Sequence, residues 1–247
     1  MANVITKDDH LAREYKAQKI LFWVALGLAI AVLILWLVSV FLPVLNIVAV
    51  IIGPGLAFGL LSFSKSRYNK LSILAAGIRG EKMALESLKK LDNEHWILVN
   101  KKITYKGQSS ELDFIVVGPT GLCIVECKHL AGKIEGDPDD KYWMQTKVSQ
   151  GGVVRTKKFY SPVKQVNTHL YRLKKILQEE GLSAHLDSAV YFPDPETQLR
   201  LTGKSVDTPV FWGEKGAEHL LKYVRKVRSP LTPIQVMKIA EFLYADK

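Results

Sequence analysis

The hydrophobic and polar positions divide the chain into two unlike parts. From Ile20 to Leu42 the sequence reads ILFWVALGLAIAVLILWLVSVFL, 23 residues without a charge. A helix rising ~1.5 Å per residue would carry that run across a ~30 Å hydrocarbon layer. A second uncharged run, Val44 to Phe63, follows at once, interrupted by Gly53, Pro54 and Gly55, where a helix should kink or break. Pro43 and Asn46 suit a tight turn between the runs, so the pattern predicts a helical hairpin that crosses a bilayer and returns. The first run is too long for the apolar stretch of a signal peptide and lacks a small-residue cleavage site. Neither run has the polar face of a soluble hairpin. A single span followed by a re-entrant segment is the competing reading.

Beyond residue 64 the periods change. Residues 64–74 read as a short linker into a helix, in which Leu74, Ile78, Leu85 and Leu88 recur at helical spacing. Glu81 falls on that apolar face. HWILVNKKITY (95–105) predicts a strand or a pair of short ones, closed by Lys106-Gly107. Residues 111–117 and 121–128 predict two strands joined through Gly118-Pro119-Thr120-Gly121. The Trp143 region and Val153–Lys158 suit another hairpin around Gly151-Gly152. Pro162 opens a helix with an apolar stripe of Val163, Val166, Leu170, Leu173 and Leu177, and Gly181 ends it. Short strands follow at 188–193 and 208–212, then a helix near 214–227 and a last one starting at Thr232-Pro233. The expected fold is α/β, a mixed sheet flanked by helices and preceded by a transmembrane hairpin. Its parts are a cytoplasmic tail (1–19), two membrane helices in contact with lipid (20–63), a linker (64–74), a core (75–180) and a C-terminal extension of the same domain (181–247).

Charge adds direction. The chain carries 34 Lys+Arg against 24 Asp+Glu, a net +10. Lys7, Arg13, Lys16 and Lys19 precede the first apolar run, and Lys65, Arg67, Lys70 and Arg79 follow the second, which places both termini on the cytoplasmic side of the cell (inner) membrane. Cys123 and Cys127 then lie in a reducing compartment as thiols. Their spacing, with no His or Cys cluster nearby, argues against a zinc site. Between Lys141 and Lys175 stand nine Lys/Arg and no acid. A polyanion such as nucleic acid fits that stretch, and the anionic inner leaflet is the rival partner. Tyr142 and Trp143 among these lysines suit either base stacking or the core.

The candidate chemistry lies in ELDFIVVGPTGLCIVECK (111–128). Side chains alternate along a strand, so Glu111 and Asp113 share one face, and Glu126 and Lys128 share one face of the next strand. Cys123, Val125 and Cys127 then point the other way, small enough to pack under a helix. The turn lets Asp113 and Glu126 converge on one cation, and oxygen ligands from two acids suit Mg²⁺ (or Mn²⁺), which also binds phosphate oxygens. Lys128 can stabilise charge or position a water, and Glu81 can complete the ligand set. An ion pair across a strand edge is the plainer alternative for the trio, and a hydrogen bond to a turn for Glu81.

Asp113, twelve intervening residues, then Glu126-Cys127-Lys128 is the D-(x)n-E-x-K pattern of the restriction-endonuclease-like PD-(D/E)xK nucleases. With GIRGEKMALESLKKL, SSELDFIVVGPTGLCIVECKHLAGKIEG and SPVKQ, residues 75–180 resemble the nuclease-related domain (NERD) family. The resemblance implies a restriction-endonuclease-like sheet and a metal-dependent nuclease acting on DNA, with RNA as the alternative substrate. It implies Asp113, Glu126 and Glu81 as metal ligands, with Lys128 as the catalytic lysine beside them. Gln165 matches a helical glutamine that related exonucleases place near metal or DNA. Where those exonucleases carry Tyr four residues later, this chain has His169. Gln165, His169 and Arg172 form a polar stripe suited to phosphate, and Lys157 and Lys158 add charge. A nucleic-acid-binding or scaffold module without turnover, or a protein whose basic face binds lipid headgroups, are the other classes.

Overall fold

The computed structural model describes residues 1–6, 10–40, 46–149, 151–203, 207–226 and 229–245. The chain divides into two compact units, His10–Ile78 and, around it in sequence, Met1–Asp9 with Arg79–Lys247.

The first unit holds helix α1 (His10–Val40) and most of α2 (Asn46–Leu88). Among the described residues one helix segment, His10–Ser39, is long and apolar enough to cross a membrane, with a mean hydropathy of 2.8 over an 18-residue stretch. Its apolar side chains are largely outward-facing: Ile20, Trp23, Leu28, Ile34 and Leu35 are exposed. Contacts run antiparallel between α1 and α2. Lys70 Nζ lies 2.5 Å from Glu14, Arg67 donates to Gln18 at 3.2 Å, and Phe22 meets Tyr68 at 5.9 Å. Trp36 packs so tightly on Gly53 that a Cβ there would sit 2.7 Å from the indole. The expected turn at Pro43 lies outside the described residues. Two expectations need correction. Helix α2 continues through Pro54 instead of breaking there, and residues 64–74 are helical, not a linker. Proline removes one backbone donor from a helix, and long apolar helices tolerate that loss where neighbours re-satisfy the freed groups.

The second unit is built on a six-stranded mixed sheet in the order β1 (Asn3–Thr6), β2 (Trp96–Tyr105), β3 (Gln108–Gly118), β4 (Gly121–Cys127), β8 (Leu186–Phe192), β10 (Val210–Trp212). A four-stranded sheet has the order β7 (Val154–Tyr160), β6 (Tyr142–Val148), β5 (Gly132–Gly136), β9 (Thr197–Leu201). The expected strands and the Gly151-Gly152 hairpin are present, and β1, β5 and β9 are additional. Strand β1 pairs parallel with β2 from Asn3↔Trp96 to Thr6↔Val99, so residues 3–6 of the expected tail form an edge strand of this unit, while residues 10–19 belong to α1.

Helices cover both faces of the large sheet. On one side Leu98, Ile115, Val117, Leu122 and Ile124 pack with Val163, Val166, Leu173 and Leu177 of α3 (Pro162–Glu179) and with Val236, Ile239 and Leu243 of α5 (Pro233–Tyr244). On the other, Phe114, Val116, Cys123 and Val125 pack with Ala84 and Leu88 of α2 and with Leu220 and Leu221 of α4 (Gly213–Val224). Ser161 caps α3 and accepts from the Lys164 N–H; Thr232 and Gln235 form a capping box on α5. Trp143 is fully buried and stacks on Phe192 at 6.4 Å, which settles it as a core residue.

Candidate active site

The β3–β4 ladder runs from Gly118↔Gly121 back to Phe114↔Val125 and stops. One step further, in the same register, Asp113 stands opposite Glu126. The next N–H of β4, that of Cys127, is not taken by a β3 carbonyl: it donates to Asp113 Oδ2 at 2.7 Å. The carboxylate thus stands in for backbone and lets the strands part where the acids meet. Asn100 of β2 lies on the far side of Asp113, between Val99↔Phe114 and Lys101↔Leu112. It has φ 52°, in the left-handed region that Asn visits more readily than most residues. Its Nδ2 donates to Glu81 Oε2 at 2.9 Å, bringing the helix acid to the same corner.

Glycine makes that approach possible. A Cβ on Gly80 would sit 2.3 Å from the His129 Cβ, well inside contact distance. Gly80→Ala should therefore push the end of α2 off the loop after β4 and move Glu81 with it. The expected cost is about 1–3 kcal/mol of stability, as for other overpacked sites, read as a lower unfolding midpoint by circular dichroism.

Glu126 is the deepest of the acids, 1% exposed. Lys128 Nζ lies 2.6 Å from its Oε1 and His169 Nδ1 3.6 Å from its Oε2. Neither carboxylate oxygen, nor His169 Nδ1, has an aligned hydrogen bond. Burial, and after it the Asp113 charge, pushes Glu126 up to about 8, with Lys128 opposing and Glu81 adding to the rise. Asp113 is also raised, by burial first, with Lys128 and the Cys127 N–H working against the rise and Glu111 with it. Burial acts against the Lys128 ammonium, but Glu126 and Asp113 outweigh it and hold its pKa above the usual lysine value. His169 is driven down to about 4 by burial, then by the Lys128 and Arg172 charges, and is neutral at physiological pH. Burial, with Asp113 and other acids beside it, raises the Cys127 thiol well above its usual range. Cys127 and Cys123 are both free thiols.

The other predicted residues divide. His169, expected to contact phosphate at the surface, is buried on α3 and faces Glu126. Arg172 holds the start of β3, donating to the Ser109 carbonyl at 2.9 Å, to the Ser110 hydroxyl, and to Gln108 Oε1 at 2.7 Å. Gln165 is half-buried one turn before His169, and Lys157 and Lys158 are exposed on β7 of the second sheet. Glu111 is exposed. Asn100 went unrecognised in the sequence, although an Asn closing an apolar run is a turn-prone signal. The His129–Asp194 contact at 3.5 Å, at the ends of β4 and β8, carries no sequence signal.

The corner sets two strand carboxylates against an ammonium and a neutral imidazole, with a third acid on the adjoining helix. Residues 76–193 match the nuclease-related domain (NERD) family. The NERD region takes in the whole corner and extends through β8, past the expected end at residue 180. An uncharacterised protein of Bacillus anthracis is 28% identical over 107 residues, 42% of this chain and 48% of that protein. The chain thus spans about half the length of that relative. No solved structure matches. Residues 76–193 are thus similar to nuclease-related domains, a family description that suggests a function on nucleic acid.

Among the described residues no group of three or more His, Cys, Asp and Glu is arranged as a ready metal cage. Asp113 and Glu126 nonetheless present oxygen donors, and the Glu126 oxygens are buried without aligned donors. Mg²⁺ commonly uses one or two carboxylates and completes its shell with water and substrate phosphate, which this donor set allows.

Proposed function

We propose that the protein is a membrane-anchored, metal-dependent nuclease that hydrolyses phosphodiester bonds of DNA at the cytoplasmic face, with a restriction-endonuclease-like core. The observation that carries this reading is the buried Glu126 carboxylate, held next to Asp113 where the ladder opens, with Lys128 Nζ 2.6 Å away. Asp113 and Glu126 would hold Mg²⁺ or Mn²⁺, with Glu81 at its edge. When bound, such an ion neutralises phosphate charge and lowers the pKa of a bound water. The Lys128 ammonium, protonated by its acidic surroundings, donates to a phosphoryl oxygen and offsets the charge that develops there. It therefore acts as a donor, not as a base. Neutral His169 adds no positive charge beside Glu126 and leaves the carboxylate to the cation. Gln165, one turn before His169 on α3, would contact the substrate strand.

The membrane part of the reading rests on connectivity. Residues 10–78 leave the second unit at Asp9 and rejoin it at Arg79, and β1 on one side pairs with β2 on the other. In a membrane-anchored chain both ends would then lie on one side of the bilayer, which calls for an even number of crossings. Antiparallel contacts of α1 with α2 support a reading in which the two helices make two crossings. Lys16, Lys19, Lys65, Arg67 and Lys70 favour a cytoplasmic placement of that side.

The test is to incubate the full chain in detergent with linear and closed circular DNA in Mg²⁺, Mn²⁺ or EDTA. Cutting is expected in either metal and absent in EDTA. Binding without cutting in any metal would leave a nucleic-acid-binding module instead.

A further inference from the structure

Beyond the acid corner, the outer face of the four-stranded sheet has features that the nuclease reading does not use. Tyr142 of β6 and Tyr160 of β7 are cross-strand partners, with rings 6.1 Å apart at 84°. They are 43% and 42% exposed, while their neighbours Trp143 and Phe159 turn to the opposite face, where Trp143 meets both Phe159 and Phe192. The tyrosines thus stand on a rigidly backed surface. Lys158 Nζ lies 4.4 Å from the Tyr142 ring centroid and Lys141 Nζ 5.6 Å from it. Of the nearby acids, Glu135 is paired with Lys133 at 2.6 Å and Asp139 with Lys164 at 3.7 Å, while the exposed Asp140 directly precedes Lys141.

This face joins directly to the acid corner. The Ser161 N–H donates to the Lys141 carbonyl at 2.9 Å, fastening the end of β7 to the start of β6, and α3 begins at the next residue. Along α3, Gln165 and then His169 follow at one-turn intervals. At ~1.5 Å per residue, Pro162 to His169 covers roughly 10 Å, about three stacked nucleotides at ~3.4 Å each.

We propose that Tyr142 and Tyr160, with Lys141 and Lys158, form a stacking platform for single-stranded nucleic acid that holds the substrate strand about three nucleotides from the Asp113–Glu126 corner. The inference rests on the nuclease reading and deepens it. Aromatic faces grip bases only when those bases are unstacked from a duplex, and they do so without regard to sequence. Exposed lysines beside the rings take the backbone phosphates. The enzyme would then favour single strands, overhangs or frayed ends over closed duplex.

The test measures binding of the full chain in detergent, with EDTA present to prevent cutting, to a labelled 20-mer of thymidine and to a labelled 20-base-pair duplex. Replacing both tyrosines by Ala should weaken single-strand binding at least tenfold and leave duplex binding within twofold. Replacing both by Phe, which keeps the stacking faces, should leave single-strand binding within twofold, separating stacking from a folding defect. Equal loss on both probes, or no loss on the single strand while metal-dependent cutting persists, would overturn the platform and leave the nuclease reading standing. Wild-type protein that neither binds nor cuts any nucleic acid would overturn both. Loss of binding to phosphatidylserine vesicles in place of the single strand would assign the face to the membrane and overturn the platform.

Discussion

Asp113→Ala and Lys128→Ala should each lower the initial rate of metal-dependent DNA cutting by at least about 10²-fold, the scale on which single electrostatic groups act in such sites. The two variants fail for different reasons. Asp113 does two jobs: its Oδ2 accepts from the Cys127 N–H, which keeps β3 and β4 apart, and its charge faces Glu126. Asp113→Asn retains an oxygen for the Cys127 N–H but removes the charge. If Asn is as inactive as Ala yet unfolds at the wild-type temperature, the charge is what catalysis requires. Lys128→Ala removes the cation 2.6 Å from Glu126 and should leave DNA binding in EDTA largely intact, because the nine basic residues between Lys141 and Lys175 remain. Initial rates on linear DNA at saturating Mg²⁺ decide the matter. A variant that keeps a tenth of the wild-type rate or more would remove its residue from the mechanism.

Much of this corner was legible because period and punctuation agree. The two-strand pattern around Gly118-Pro119-Thr120-Gly121 places Asp113 and Glu126 in register, and alternation correctly sends Cys123 and Val125 under α2 and α4. His169 shows where a local reading falls short. It lies three residues after Val166 and four before Leu173, inside the buried stripe and not beside it. Its polarity suggested a surface role that its spacing excludes. The bonds from Arg172 to β3 were not legible, because an arginine on a helix has no visible partner until that strand is laid beside it. Strand β1 is four residues long and gains its identity only from β2, ninety residues away, so no local pattern could announce it. The same is true of β5 and β9, a parallel pair brought together by the chain between them. Long-range pairing is set by tertiary packing, which single-segment propensity does not encode.

Glu126→Gln should make the metal-free protein more stable at neutral pH, although it removes an ion pair. Burial and the Asp113 charge raise Glu126 to about 8 in the folded chain, against 4.5 for an ordinary glutamate. Between those values the folded state binds more protons than the unfolded one, so stability falls as pH rises. Below about pH 4.5 both states are protonated and the penalty is absent; above about 8 it is complete. At about 1.4 kcal/mol per pK unit, the full penalty is on the order of a few kcal/mol, softened by Lys128. Wild-type protein in EDTA should therefore lose unfolding temperature from pH 5 to pH 8, whereas Glu126→Gln should show a flatter profile and the higher midpoint at pH 8. Mg²⁺ or Mn²⁺ should reverse the order, because a bound cation stabilises the ionised carboxylate that the variant lacks. The cost of holding Glu126 charged without a cation is thus the same free energy that favours metal uptake. Identical pH profiles for the two proteins, or a wild type that melts at the same temperature with and without metal, would show that Glu126 is satisfied by Lys128 alone and that the corner is an ion pair and not a cation site.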